Sequence, residues 1–224
     1  MAGGKRLFFD IDDVLFPSTE FSTLARRNAL NAIIEMGLDV SYSGLEKALD
    51  KVIEVKGSNY PNHFDALLER LGVEERAKYV AAAVGAYHDT KAAIHPYPDV
   101  PLTLLKLRGK YALYAASDGI AVKQWDKLIR MKLAMFFERV FVSEDTGVQK
   151  SPAFYRKIAK LADAKPETCV MIGDREDKDV LAAKSAGWKA VRVRRRGSKY
   201  SSGKSAADAE IGTLAELEKA LDGI

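Results

Sequence analysis

The stretch Leu7-Phe8-Phe9-Asp10-Ile11-Asp12-Asp13-Val14-Leu15 decides the fold. Its apolar residues run together without alternation and stop at acids, the pattern of a short strand buried on both faces. In extended chain, residues two apart point the same way, so Asp10 and Asp12 are expected to converge at the strand tip and Asp13 to point elsewhere. Two carboxylates at one tip repel unless a cation or a shared proton compensates. The pattern therefore reads either as solvated turn aspartates or as a divalent-metal site with a nucleophilic carboxylate.

Working outward, four further apolar runs end in the same way: Tyr111–Ala116, Arg139–Val142, Cys169–Ile172 and Lys189–Val193. Helix-period segments separate them, and this βαβα order predicts an α/β protein with a parallel sheet covered on both faces. The first gap differs. Between Asp10 and Ser117 lie about 107 positions (117 − 10), most of them helical in pattern. Phe21–Met36 carries Leu24, Leu30, Ile33 and Ile34 at helical spacing and stops at Gly37. Ser43 with Glu46 is read as a capping box ahead of Leu45–Val55. Pro61–Leu71 and Glu74–Tyr87 are two further helices, so a small helical bundle is inserted after the first strand. Prolines at Pro17 and Pro96–Pro98 mark its ends, which divides the chain into a core of 1–16 with 96–224 and an inserted helical domain of 17–95. Thr213 with Glu216 caps a last helix that reaches about Leu221.

Composition excludes whole classes. With 224 residues, 47% hydrophobic and 29% charged, the chain can bury a sizeable core and is neither disordered nor collagen-like. No apolar run approaches the ~18 residues of a membrane span. The opening is a short basic patch running straight into the first strand, with no separate apolar region and no small-residue cleavage site, so the expected location is cytoplasmic and no membrane is involved. Net charge is 35 − 31 = +4, too weak to imply nucleic acid. The single cysteine, Cys169, excludes an internal disulfide and reads as a buried, inert thiol. Trp125 and Trp188 read as helix–sheet packing.

A second acidic cluster, Gly173-Asp174-Arg175-Glu176-Asp177-Lys178-Asp179, follows the fourth strand. Glu176 and Asp177 are accounted for by the dipole of the helix that follows, whereas Asp174 sits at the strand tip. Acids at two tips of one parallel sheet can hold a single Mg²⁺. Ser117-Asp118-Gly119, between strand and helix, is either a common turn or a phosphate cradle. Lys150, just before another helix, could neutralise phosphate or carboxylate charge, although one lysine among 35 basic residues means nothing alone. The run Arg192–Lys199 reads as a solvated loop, with an anion-binding patch as the alternative.

The order of these features carries more than any one of them. Asp-x-Asp after strand one, Ser after strand two, Lys before a helix and then Gly-Asp-x-x-x-x-Asp resemble the haloacid dehalogenase (HAD) superfamily of hydrolases, in the branch with an inserted helical cap. Phe8–Leu15, Tyr114–Gly119, Lys150 and Met171–Asp179 resemble its four motifs, and Ala25–Ala29, Gly57–Phe64 and Tyr87–Lys91 resemble an archaeal branch labelled as HAD-like hydrolases or glyceraldehyde-3-phosphate phosphatases. The resemblance implies a Rossmann-like core under a helical cap. It implies Asp10 as nucleophile forming an aspartyl-phosphate, Asp12 as the acid and then the base, and Lys150 as the charge-balancing group. Mg²⁺ would be held by the Asp10 side chain, the Asp12 carbonyl and Asp174, with Asp179 positioning Lys150 or a water on the metal. Ser117 and the N–H groups of Asp118 and Gly119 would hold phosphate. Arg26, Arg27, Asn59 and His63 of the cap are the candidates for setting specificity.

The expected activity is a Mg²⁺-dependent phosphatase for a small phosphorylated metabolite, working as a monomer or homodimer. The alternatives are a 2-haloacid dehalogenase and a non-catalytic phosphate binder on the same fold. Halide leaves without a proton and a binder needs no general acid, so Asp12 speaks for the phosphatase.

Overall fold

The computed structural model describes residues 4–198, 200 and 202–224. The chain divides into two compact units, one taking the chain up to Thr19 and from His95 onward, the other Glu20–Ile94.

The first unit is a six-stranded parallel sheet in the order β3-β2-β1-β4-β5-β6: β1 Arg6–Phe9, β2 Ala112–Ser117, β3 Arg139–Val142, β4 Cys169–Gly173, β5 Lys189–Val193 and β6 Ala209–Ile211. The first five are the apolar runs read from the sequence. The sixth, Ala-Glu-Ile, is too short and too polar to announce itself and is recruited by pairing with Val191–Val193. Helices α5 (Val100–Arg108), α6 (Ala121–Arg130), α7 (Ser143–Thr146), α8 (Pro152–Leu161), α9 (Ala182–Lys184) and α10 (Leu217–Asp222) connect or follow the strands. Phe8 centres the core on one face of the sheet. Its ring stands 4.7 Å from Tyr114 and 4.5 Å from Trp188, centroid to centroid. Phe154, Tyr155 and Ile158 of α8 close over them, while Leu7 and Phe9, alternating with Phe8, are buried on the other face. Trp125 does not pack as expected and is 39% exposed. The buried face of α6 is set by Gln124 and Leu128, and a residue one step from Gln124 lies about 100° round the helix.

The second unit contains α1 (Ser18–Glu35, whose first two residues belong to the other unit), α2 (Tyr42–Lys56), α3 (His63–Arg70) and α4 (Ala77–Thr90). Leu30, Ile33, Leu45, Leu49, Leu67 and Leu68 form its core. The cap of α2 is Ser41, not the Ser43–Glu46 box read from the sequence: the Ser41 hydroxyl accepts the Gly44 N–H at 3.2 Å. Ser41 has the extended backbone an N-cap needs, which leaves Ser43 inside the first turn. The Thr213–Glu216 capping box does form. No helix among the described residues is long and apolar enough to cross a membrane.

Candidate active site

Strand register builds the site. Phe9, the last residue of β1, lies level with Ala115 on one side and Ile172 on the other, so the carboxyl ends of β1, β2 and β4 fall within two residues of one another. Asp10 extends the ladder by one bond, its N–H donating to the Ile172 carbonyl at 2.8 Å. Asp10, Asp174 and Asp179 meet there, all buried, with ligand oxygens within 4.8 Å of one another. Lys150 Nζ lies 2.8 Å from Asp10 Oδ1 and 2.7 Å from Asp179 Oδ1. Three carboxylates against one ammonium leave 1 − 3 = −2 when all are ionised.

Each side chain has a local reason for its place. Ser151, just after Lys150, caps α8 by accepting the Phe154 N–H at 3.3 Å, with Pro152 opening the helix. That cap holds Lys150 at the strand ends. Residues 176–181 form one widened, π-helical turn in which the N–H groups of both Asp179 and Val180 reach the Arg175 carbonyl. The turn swings Asp179 back over Gly173. A Cβ on Gly173 would stand 2.4 Å from the Asp179 side chain, so only glycine fits. Asp179 Oδ2 accepts the Arg175 N–H at 3.0 Å.

Burial and mutual repulsion push these acids toward neutrality. Burial raises the Asp10 carboxyl to about 7 against the pull of Lys150, with Asp179 and Asp12 adding to the rise. Burial, then Asp10 and Asp179, raise Asp174 to about 8. Burial works against the Lys150 ammonium, but Asp10 and Asp179 outweigh it and hold its pKa above the ordinary lysine value. Asp10 Oδ1 is buried and accepts no hydrogen bond of good geometry despite the nearby ammonium. Three buried acids sharing one ammonium, with a local excess of negative charge, suit a hard divalent cation with oxygen ligands.

Asp12 stands apart from this cluster. β1 ends at Phe9 and the chain bends at Ile11, so two-residue alternation no longer dictates where Asp12 points. The Asp12 carboxylate turns to α6 instead, where Lys127 Nζ donates to Oδ1 at 2.6 Å and to Oδ2 at 2.8 Å. Asp13 takes a left-handed conformation (φ 56°) and accepts the Thr19 N–H at 3.0 Å.

Ser117 ends β2 and is 1% exposed, with Asp118 and Gly119 forming the turn into α6. Gly119 sits at φ 121°, a conformation that favours glycine. Its N–H donates to Ser143 Oγ at 2.9 Å, and the Ala121 N–H donates to Glu144 Oε2 at 2.8 Å. The Gly119 amide, read from the sequence as a phosphate donor, is therefore already engaged by β3's following turn. Asp118 Oδ1 accepts the Lys150 N–H at 2.7 Å, joining this turn to the lysine segment. Ser143, Glu144, Gln124 and Lys127 gave no signal in the sequence, because polar residues in helical turns are common and only the fold makes these four adjacent to the site.

Arg26 (half-buried) and Arg27 (exposed) lie on α1, Asn59 is exposed in the loop between α2 and α3, and His63 opens α3 with Nε2 2.9 Å from the Gly57 carbonyl. All four belong to the second unit. The basic run is not a solvated loop at its start. Arg192 is buried, donating to the Asp174 carbonyl at 3.2 Å, to Glu176 at 3.0 Å and to the carbonyls of Tyr200, Ser202 and Lys204. Arg195 is buried too, pairing with Asp99 at 2.8 Å and lying 4.1 Å over the Tyr97 ring. Both guanidiniums are buried against carboxylates and carbonyls of the chain, and Lys199 of this run lies outside the described residues.

A family model described as haloacid dehalogenase-like hydrolase matches residues 5–187. A glyceraldehyde 3-phosphate phosphatase of Methanopyrus kandleri is 48% identical over 196 residues, covering 85% of this chain and 84% of its own length. A protein of the same name from Pyrococcus furiosus is 40% identical over 190 residues, covering 84% and 79%. Among solved structures, a HAD phosphatase from Thermococcus onnurineus superposes with a TM-score of 0.72 at 25% identity, covering 98% of each chain.

Proposed function

Because the chain belongs to the haloacid dehalogenase-like hydrolases and is a phosphatase acting on a small phosphorylated metabolite, we propose that it hydrolyses glyceraldehyde 3-phosphate with Mg²⁺ bound at Asp10, Asp174 and Asp179. The observation that carries this reading is the meeting of three buried acids with Lys150 at the strand ends, next to the strand that Ser117 closes. The Asp12 carbonyl completes the proposed ligand set. The cation would offset the repulsion between the carboxylates and an arriving phosphate dianion.

The chain's own groups do the rest. Asp10 attacks phosphorus to form an aspartyl-phosphate as the P–O bond to the sugar breaks. Asp12 gives its proton to the departing oxygen, then takes one from the water that cleaves the acyl-phosphate. Lys150 balances charge beside the nucleophile, held there by Asp179 at 2.7 Å. Ser117 and the Asp118 amide hold the transferred phosphoryl group. Arg26, Arg27, Asn59 and His63, all within Glu20–Ile94, are the candidates for recognising the rest of the substrate. A dehalogenase gives Asp12 no task, which favours phosphoryl chemistry.

Phosphate release from glyceraldehyde 3-phosphate with Mg²⁺, alongside a panel of other phosphorylated metabolites and a 2-haloacid control, tests the reading. Asp10→Asn is expected to abolish turnover and EDTA to stop it. Full activity in Asp10→Asn, or halide release without phosphate release, overturns it.

A further inference from the structure

Helix α6 ties Asp12 to the Ser117–Gly119 turn through two side chains one helical turn apart. Lys127 holds both Asp12 oxygens, at 2.6 and 2.8 Å. Gln124, 4% exposed, donates to Asp12 Oδ2 at 3.4 Å and to the Asp118 carbonyl at 2.9 Å, and its Oε1 accepts from Lys127 Nζ at 3.2 Å. Lys127 Nζ also lies 5.5 Å from the Phe16 ring centroid, so it is braced on a third side. The result is a closed polar network of a lysine, a glutamine, a carboxylate and a backbone carbonyl. Its two ends are the residue read here as proton donor and the turn read as phosphate cradle. Asp12 lies beyond the regular strand, its backbone in an isolated bridge with Phe16 and its half-exposed side chain held by α6.

We infer that Lys127, braced by Gln124, is a positioning residue that aims the Asp12 carboxyl group at the oxygen leaving the phosphorus. This rests on the proposed role of Asp12. Proton transfer requires donor and acceptor within hydrogen-bond reach. The phosphoryl group would sit against Ser117 and Asp118, and the bridging oxygen would extend from it toward the carboxylate that Gln124 links to the same turn. Without the ammonium, the half-exposed Asp12 side chain is free to take other rotamers, and fewer encounters find it aligned. The O–H bond of Asp12 breaks as the P–O bond to the leaving group breaks, and the proton goes to the departing alkoxide. The network moves no proton itself.

A comparison of leaving groups tests this. The full chain with Mg²⁺ is assayed for kcat/KM on glyceraldehyde 3-phosphate, whose alkoxide needs a proton to depart, and on 4-nitrophenyl phosphate, whose phenolate does not. Because kcat/KM reports the steps up to departure of the leaving group, it isolates the acid step from the later attack by water. Lys127→Met is expected to lose about tenfold or more on the alkyl substrate, part of the ~10²–10⁴-fold that general acid catalysis supplies, and less than about threefold on the aryl one. Lys127→Arg, which can still hold both oxygens, is expected to restore most of the loss on the alkyl substrate. Equal losses on both substrates, no loss, or a gain on the alkyl substrate overturns the assignment, and Lys127→Gln repeats the comparison if the Met variant misfolds by circular dichroism. A wild-type protein that hydrolyses neither substrate overturns the phosphatase reading and this inference with it. A wild type that turns over both while Lys127→Met leaves their ratio unchanged overturns this inference alone.

Discussion

Gly173→Ala adds one methyl group at the end of β4, and the structure says what that group meets. The new Cβ stands 2.4 Å from Cβ, Cγ and Oδ2 of Asp179, against the ~3.5–4.0 Å of an ordinary carbon contact. Asp179 is fully buried, so its side chain cannot swing into solvent. It must shift by about 1 Å, which breaks or lengthens its bonds to Lys150 (2.7 Å) and to the Arg175 N–H (3.0 Å). Overpacking costs about 1–3 kcal/mol and losing one hydrogen bond to a charged group about 1.5–3 kcal/mol, together about 2.5–6 kcal/mol. For a chain of this size that lowers the melting midpoint by about 5–25 °C. Thermal unfolding followed by circular dichroism, with and without Mg²⁺, reads the effect. The stabilisation by Mg²⁺ should shrink as well, because Asp179 belongs to the acid cluster. Gly85→Ala is the control. Gly85 is exposed within α4 with nothing inside 4 Å of an added Cβ, so alanine there should raise the midpoint by about 1–4 °C through helix propensity alone. A Gly173→Ala protein that melts within about 1 °C of wild type and binds Mg²⁺ equally well would refute the steric reasoning.

Three further outcomes are expected. Asp10 and Asp174 are raised to about 7 and about 8 by burial, so in the absence of a cation the folded chain binds protons more tightly than the unfolded one. Their contribution to stability is then full below the ordinary carboxylate pKa of about 4 and is lost as pH rises through about 7–8. A bound cation competes with those protons, so the Mg²⁺-induced rise in melting midpoint should be larger near pH 8.5 than near pH 6, and the reverse order would contradict the acid cluster as the binding site. Arg192→Met removes a buried guanidinium that joins Asp174, Glu176 and the loop of Tyr200, Ser202 and Lys204. It should lower unfolding stability in urea by about 3–5 kcal/mol, and a change under about 1 kcal/mol would show that the clasp is dispensable. Burial pushes the Cys169 thiol up to about 12, so a disulfide reagent at mildly alkaline pH should label unfolded protein and leave the folded protein unmodified over the same interval.

The sheet was legible because buried parallel strands are written locally, as unbroken apolar runs closed by Asp, Ser or Gly. That is why five of the six strands were found, and why β6, only three residues long with a glutamate at its centre, was not. Capping was less legible. Ser41 and Ser43 are equally good N-caps by composition, and only the extended backbone at Ser41 separates them. The acids, the serine and Lys150 could be picked out as residue types at strand and helix ends, but what each touches could not. Asp10 and Asp174 are 164 positions apart (174 − 10), and their meeting depends on β1 and β4 being neighbours in register. The need for glycine at 173 arises because a widened turn folds Asp179 back onto it. Lys127 is one basic residue among 35 until helix packing sets it against Asp12. Periodicity and residue type are properties of a few neighbouring positions, and a sequence displays them directly. Distances between side chains far apart in the chain are set by strand order, register and helix rotation together, and those exist only once the sheet has formed.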